Sequence, residues 1–165
     1  MNRYPGTSIR TIVALIGLLS AYTATEAATS TSSLAVTSTV LASCNVTGSS
    51  VAFGNYTSSQ LDQSATVAVL CTTGTTYTVA LDAGVGTGAS TSVRKMTGTG
   101  GGTLNYTLAR DSSHSLNWGS TTGADTSAGT GNGVLQNLTV YGRISSGQLP
   151  GAGTYTDTVT VTMTY

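Results

Sequence analysis

The chain has 165 residues, a length that favours a single domain, and its formal net charge at neutral pH is zero. Only 7% of its residues are charged, far below the roughly 25% usual for soluble domains, and Gly, Ser and Thr take their place. Because the charges are few and balanced, with no basic patch interleaved with aromatic residues, nucleic acid is not expected as a partner.

The first 27 residues have the pattern of a secretory signal peptide. Arg3 and Arg10 give a positive n-region, residues 11–21 form an apolar core, and small residues suit cleavage after Ala27 or Ala28. An N-terminal membrane anchor is the alternative, but the apolar core is shorter than the roughly 20 residues that span a bilayer. The sequence therefore predicts an exported protein.

The segment that follows the signal peptide changes from polar to alternating. Residues 28–33 are small and polar, and from Leu34 to Cys44 the apolar residues Leu34, Val36, Val40 and Cys44 share one parity. This pattern predicts a long first strand, or two strand-like pieces end to end. Since no turn signal precedes residue 45, the segment is free to leave the domain that follows. Residues 45–50 are predicted to form a turn-rich link.

Alternating or mostly apolar runs, separated by Gly-rich turns, continue through the chain. Strands or extended segments are predicted at residues 51–56, 64–71, 75–81, 94–97, 103–110, 134–144 and 155–165. Residues 82–92 and 120–133 are predicted loops, and residues 98–102 a hairpin turn. Seven or eight short strands with no convincing helix predict an all-β sandwich or barrel-like sandwich.

The last predicted strand has the clearest alternation. Every even position from 156 to 164 is Thr, and the odd positions carry core-type residues, apart from Asp157. The sequence ends on Tyr165, which predicts that the sheet either closes earlier or leaves a place for another strand. A buried, unpaired carboxylate is costly. We therefore expect Asp157 to bond to loop backbone or to an arginine.

Few residues are candidates for a covalent, catalytic, metal-binding or ligand-binding role. Cys44 and Cys71 are the only cysteines, and in an oxidising compartment such a pair predicts one disulfide, whereas a metal site would lack partners. His114, the only histidine, is expected at the surface in a polar turn. No catalytic, cofactor or metal site is predicted. Trp118 and nearby tyrosines could line a sugar site, although core positions are favoured.

The ordered residues resemble the spore coat protein U domain family, which includes subunits of archaic chaperone–usher pili, over about residues 34–165. The residues that carry the resemblance are Cys44, Phe53-Gly54-Asn55-Tyr56, Cys71, Tyr106-x-Leu108, Trp118-Gly119, Tyr141-Gly142-Arg143-Ile144 and Gly153-x-Tyr155-x-Asp157. The resemblance implies an immunoglobulin-like β-sandwich that is incomplete and is completed by a donor strand from another chain.

The resemblance also implies partners and roles. A periplasmic chaperone lends a strand during export, and at an outer-membrane usher the N-terminal extension of the next subunit, a copy or a related one, replaces it. Residues 28–36 would be this donor extension, anchored by Leu34 and Val36, and residues 37–165 the sandwich domain. The family disulfide maps to Cys44 and Cys71. The last-strand residues that would line the acceptor groove are Tyr155, Val159, Val161, Met163 and Tyr165.

The expected function is that of a non-enzymatic pilus subunit, exported through the periplasm to the cell surface, in adhesion or biofilm formation. A spore or cell-surface coat protein and a carbohydrate-binding adhesin domain are the alternatives. An N-terminal strand that folds back into its own domain would fit the same residues.

Overall fold

The structure of the chain, a computed structural model, describes residues 25–165. The n-region and apolar core of the predicted signal peptide lie outside the described residues. The chain divides into two units, residues 1–38 and residues 39–165. Within the first unit, residues 25–38 form no strand, and Leu34 and Val36 are 88% and 85% exposed.

The strand predicted from Leu34 to Cys44 is wrong, because no strand begins between residue 25 and Cys44. Val40 and Leu41 are exposed as well. An alternating sequence supplies only one face of a strand, and a strand also needs a neighbour for its main-chain hydrogen bonds. Within the described chain, the main-chain hydrogen bond to residues 34–43 that comes from another segment is from Thr72 N to Ser43 O at 2.9 Å, so residues 34–42 have no such neighbour.

Nine strands form within residues 39–165. They are β1 (Cys44–Gly48), β2 (Leu61–Cys71), β3 (Thr76–Leu81), β4 (Arg94–Gly98), β5 (Thr103–Ala109), β6 (Ser127–Thr130), β7 (Gln136–Ile144), β8 (Tyr155–Thr156) and β9 (Val161–Thr164).

The strands form two antiparallel sheets. The larger sheet has the order β1-β2-β7-β5-β4-β8, and the smaller has the order β6-β3-β9. Residues 25–165 contain no helix, so the predicted all-β sandwich is confirmed. Accordingly, none of these residues forms a helix that could cross a membrane.

The core lies between the inward faces of the two sheets. Alternate residues of β2, β3 and β5 are buried, which is the period of two that predicted these strands. Trp118 is 1% exposed, and its Nε1 donates to Val79 O at 3.0 Å. The core residues are Ala65, Val67, Val69, Cys71, Tyr77, Val79, Leu81, Leu104, Tyr106, Leu108, Trp118, Val140 and Ile144.

Strand β1 replaces the predicted turn-rich link. It pairs with β2 from Cys44 opposite Cys71 to Gly48 opposite Val67. The predicted disulfide joins Cys44 to Cys71. Residues 45–50 are rich in turn formers, so their local pattern did not predict a strand. The disulfide joins the first residue of β1 to the last residue of β2, and the ladder continues from this point.

Two further predictions need correction. The loop predicted at residues 120–133 contains β6, a strand of small residues that pairs with β3. The closing strand, predicted as one element over residues 155–165, is split into β8, which pairs with β4, and β9, which pairs with β3. The last segment therefore passes from the larger sheet to the smaller one.

Arg94 holds the end of β3 against two loops. Its side chain is fully buried and donates to four main-chain oxygens: Nε to Asp82 O at 2.8 Å, Nη1 to Thr91 O at 2.8 Å, and Nη2 to Leu81 O at 3.1 Å and Trp118 O at 2.7 Å. Burial lowers the pKa of Arg94 from its usual value. The planar guanidinium has several N–H groups that point to these four oxygens at once, whereas the ammonium of a lysine does not match this geometry.

Replacing Arg94 by Leu should lower the free energy of unfolding by about 3 kcal/mol, because four carbonyl groups, two of them in buried hydrogen bonds, lose their donor. Arg94→Lys should recover only part of the loss. Urea unfolding followed by Trp118 fluorescence measures the effect, and Lys95→Leu, at the next position of β4, is the control. Equal effects at positions 94 and 95 would contradict this role for Arg94.

Candidate functional site

An open groove exposes the core between residues 48–56 and residues 149–161. Two adjoining cavities, of about 470 and 700 Å³, make up this groove and share Val51, Phe53, Met96 and Tyr155. Its floor consists of core side chains from β2, β3, β5 and β7, namely Val67, Leu81, Tyr106, Leu108 and Val140. The groove is therefore a gap that reaches the core of the sandwich and not a shallow depression of the surface.

The first wall of the groove, residues 50–57, is held by side chains and not by a ladder. Within the described chain, its main-chain groups make no hydrogen bonds to other main-chain groups. Val51 and Phe53 are half-buried and lie over Gly142 of β7, where a Cβ would come within 2.8 Å of Phe53 Cζ. The Tyr56 hydroxyl donates to Ser145 O at 2.7 Å. Amide and carbonyl groups of this wall thus remain available for pairing.

The second wall, residues 155–163, keeps its alternation through the break between β8 and β9. Tyr155, Val159, Val161 and Met163 are half-buried and pack against the core. Tyr155, Val159 and Val161 line the groove, and Met163 lies further along β9. Tyr165 differs from the expectation: it is 60% exposed, because it lies beyond the end of β9.

Strand β1 and the second wall approach each other at one end of the groove. A Cβ on Gly48 would lie 3.2 Å from Val161 Cγ2, yet β1 is paired only with β2, and β9 only with β3, among residues 25–165. The free edges of the two sheets thus face each other without a ladder between them.

Asp157 lines the groove and is tied to the loop after β3. Its Oδ2 accepts from the Tyr106 hydroxyl at 2.6 Å, and its Oδ1 accepts from Val85 N and Thr158 N, both at 2.8 Å. The expectation that Asp157 bonds to loop backbone is confirmed. Burial, and then the bond to Asp157, raise the pKa of Tyr106, so its hydroxyl stays a donor at physiological pH.

Asp82 is a second carboxylate that sequence reasoning did not single out. Its Oδ1 accepts from Gly84 N and Thr160 N, both at 2.9 Å, so it joins the same loop to the last segment. Burial raises the pKa of Asp82, but hydrogen bonds from Thr160 and Gly84 outweigh this and hold it below its usual value. An aspartate directly after a strand was the only signal for this role.

The remaining candidates lie elsewhere. The His114 side chain is 7% exposed, and its ring packs edge-on against Tyr141, so the expected surface position is wrong. Buried Trp118 cannot line a sugar site. No group of three potential metal ligands occurs in the described part of the chain.

Replacing Gly84 by Ala should destabilise the domain more than Gly123→Ala does. Both glycines have positive φ, at +77° and +80°, so both variants carry the same backbone strain. Only the new Cβ at position 84 would fall onto the Asp157 carboxylate, whereas at Gly123 nothing lies within 4 Å. We expect an additional loss of about 1–3 kcal/mol at position 84, measured by urea unfolding. Equal losses would contradict the packing of Asp157 on Gly84.

The contacts of Asp82 should make stability depend on acid pH. Because its pKa is lowered in the folded state, its contribution is complete above the unfolded pKa of about 3.9 and is lost as pH falls through the folded value. Wild-type unfolding free energy should therefore fall more steeply below pH 4 than that of Asp82→Asn. Asp125→Asn is the control, and parallel pH profiles for wild type and Asp82→Asn would contradict the prediction.

One chain of the CsuC–CsuE chaperone–tip adhesion subunit pre-assembly complex, from the archaic chaperone–usher Csu pili of Acinetobacter baumannii, superimposes on this chain with a TM-score of 0.60 and 27% identity. The match covers 77% of this chain and 41% of that chain, so this chain spans less than half of its length. No curated protein matches significantly. The family model of the Spore Coat Protein U domain matches residues 30–162, and the chain therefore belongs to the Spore Coat Protein U domain family.

Proposed function

We propose that the protein is a structural subunit of an extracellular pilus, assembled by a chaperone–usher pathway through donor-strand complementation. The observation that carries the proposal is the open groove, whose first wall has no ladder within the described chain. Similarity to a chain of the Csu pilus complex supports it. The role is structural and not catalytic, and the proposed pilus serves surface adhesion or biofilm formation.

A strand from another chain would meet both needs of the groove. Its main chain would pair with the free edges, and its side chains would cover the floor, which is the principle of β-augmentation. Since donor and groove are formed by different segments of the chain, each contact is head-to-tail and leaves one donor and one groove unused. Repetition of such a contact produces a fibre.

The proposed order of events follows from this need. A periplasmic chaperone occupies the groove during export, and at the outer-membrane usher the extension of the next subunit replaces it. Residues 1–27 are the signal peptide, residues 28–36 the donor extension and residues 37–165 the sandwich domain. The exposed anchors Leu34 and Val36 support an extension that is available to another subunit.

A spore or cell-surface coat protein is the second candidate, and the family match favours it. It would use the same groove but would be laid down as a surface layer. Electron microscopy of producing cells separates the two, because only the pilus forms fibres.

Co-expression with a periplasmic chaperone of the same pathway should yield a soluble complex of one chaperone and one subunit, and without it little folded subunit should accumulate. The variant Leu34→Asp/Val36→Asp should still bind the chaperone but should not polymerise, because charged side chains cannot enter the groove. Size-exclusion chromatography and electron microscopy measure both effects.

The matched control is Val134→Asp/Leu135→Asp, which changes two exposed apolar residues outside the groove and the extension. This variant should polymerise like wild type. A stable monomer without chaperone, whose polymerisation survives the Leu34 and Val36 changes, would overturn the proposed function.

A further inference from the structure

We propose that residues 32–40 of a second copy of the chain occupy the groove antiparallel to residues 155–163, with Ser38 facing Asp157. The inference rests on the proposed strand exchange. It assigns a register, extends the donor beyond residue 36 and makes Asp157 the residue that sets that register.

The donor side has one polar interruption in an apolar face. Leu34, Val36 and Val40 share one parity and are 88%, 85% and 81% exposed. Ser38 has the same parity and is exposed as well. An extended strand over residues 32–40 therefore presents Ser32 at its start, followed by an apolar face in which the Ser38 hydroxyl stands between Val36 and Val40.

The acceptor face is also apolar with one polar residue in it, which here is a carboxylate. Tyr155, Asp157, Val159, Val161 and Met163 share one parity and are half-buried towards the core. Four of these five residues are apolar, and Asp157 is the single charged one. It stands second from the start of the segment, just as Ser38 stands second from the end of the donor.

Antiparallel pairing matches the two faces position by position. Residues directly opposite each other point to the same side of a sheet. The proposed register sets Val40 opposite Tyr155, Ser38 opposite Asp157, Val36 opposite Val159, Leu34 opposite Val161 and Ser32 opposite Met163. A shift of two residues in either direction would instead place Val36 or Val40 against the Asp157 carboxylate.

Asp157 has the capacity to accept one more hydrogen bond. A carboxylate offers about four acceptor sites, and three are used, by Tyr106, Val85 and Thr158. The Ser38 hydroxyl would supply the fourth donor, whereas a valine would shield the carboxylate from water without replacing that bond. A single polar pair in an apolar seam is an established way to fix register.

The occupant is assigned to a second copy, whose residues 32–40 carry the matching face, and not to the same chain, which cannot reach its own groove in this register. Gly48 lies by Val161, and Val51 and Phe53 line the groove together with Tyr155, so the stretch from Cys44 to Phe53 runs about 30 Å along the groove. Val40 opposite Tyr155 would lie at the far end. The few residues between Val40 and Cys44 span at most about 14 Å.

Cysteine pairs on the outward face test the register without changing the core. Thr37 and Thr158 would be directly opposite, at a Cα separation of about 4.5–5.5 Å that suits a disulfide. Thr37 and Thr160, or Thr37 and Thr156, would be diagonal, at about 7–8 Å, which is too far. Full-length Thr37→Cys/Thr158→Cys should give intermolecular disulfide ladders on non-reducing gels. The two diagonal double variants should form polymers without ladders.

Each result decides one question. Polymers that cross-link at a diagonal pair, or at none of the three pairs, would overturn the register and leave the proposed function standing. Failure of wild-type protein to polymerise with chaperone and usher present would overturn the proposed function itself.

The role of Asp157 is tested by changes at Ser38 in the Thr37→Cys/Thr158→Cys background. Ser38 is exposed in the free subunit, so its replacement should leave folding unchanged. Ser38→Val should reduce the yield of this cross-link about tenfold, and Ser38→Thr, which keeps the hydroxyl, should retain it. An unchanged yield with Ser38→Val would overturn the pairing of Ser38 with Asp157.

Discussion

An apolar core with one uncovered side is the constraint on which the rest of this structure depends. Two sheets share a core that includes Val67, Leu108 and Val140, yet no strand of the described chain closes the gap above these side chains. A free edge beside an apolar floor invites unspecific pairing. In the proposed assembly, stability is therefore inseparable from the concentration of whatever chain fills the gap.

At the groove, hydrogen bonds from polar side chains hold the chain in place, whereas elsewhere in the sandwich a β-ladder does so. Asp82 and Asp157 bind amides of the loop after β3 and of the last segment, while Arg94 gathers four carbonyl groups at the end of β3. These bonds fix the second wall without a strand on its free edge. The groove can thus stay open, because its wall does not depend on pairing across the gap.

The sequence predicts those parts of the fold in which one strand face meets the core. In β3, Tyr77, Val79 and Leu81 alternate with polar or small residues, and burial follows the same period. The inward face of the last segment was predicted for the same reason, and Asp157 was expected to bond to loop backbone or to an arginine. The alternation of apolar and polar residues predicts which face of a strand is apolar, and that face packs against the core.

Pairing between distant segments could not be predicted in this way. Residues 127–130 have no apolar alternation, and β6 exists because the edge of β3 is beside it. Strand β1 pairs with β2, to which the disulfide joins it. The break between β8 and β9 arises where the chain changes sheets, and Asp157 binds the loop there. Each of these features depends on contact with a segment that is distant in the sequence.

The reverse case, alternation without a ladder, is the most informative part of the sequence. Residues 34–40 have a strand pattern but no strand in the free subunit, and residues 155–163 have a face that is only half covered. In the proposed register, residues 32–40 of one copy pair with residues 155–163 of another. The link from Val40 to Cys44 is too short for this pairing to form within one chain. A sequence that carries both halves of a pairing, and cannot join them internally, favours repeated contacts between copies. In the proposed assembly those contacts are head-to-tail, and their repetition gives a fibre.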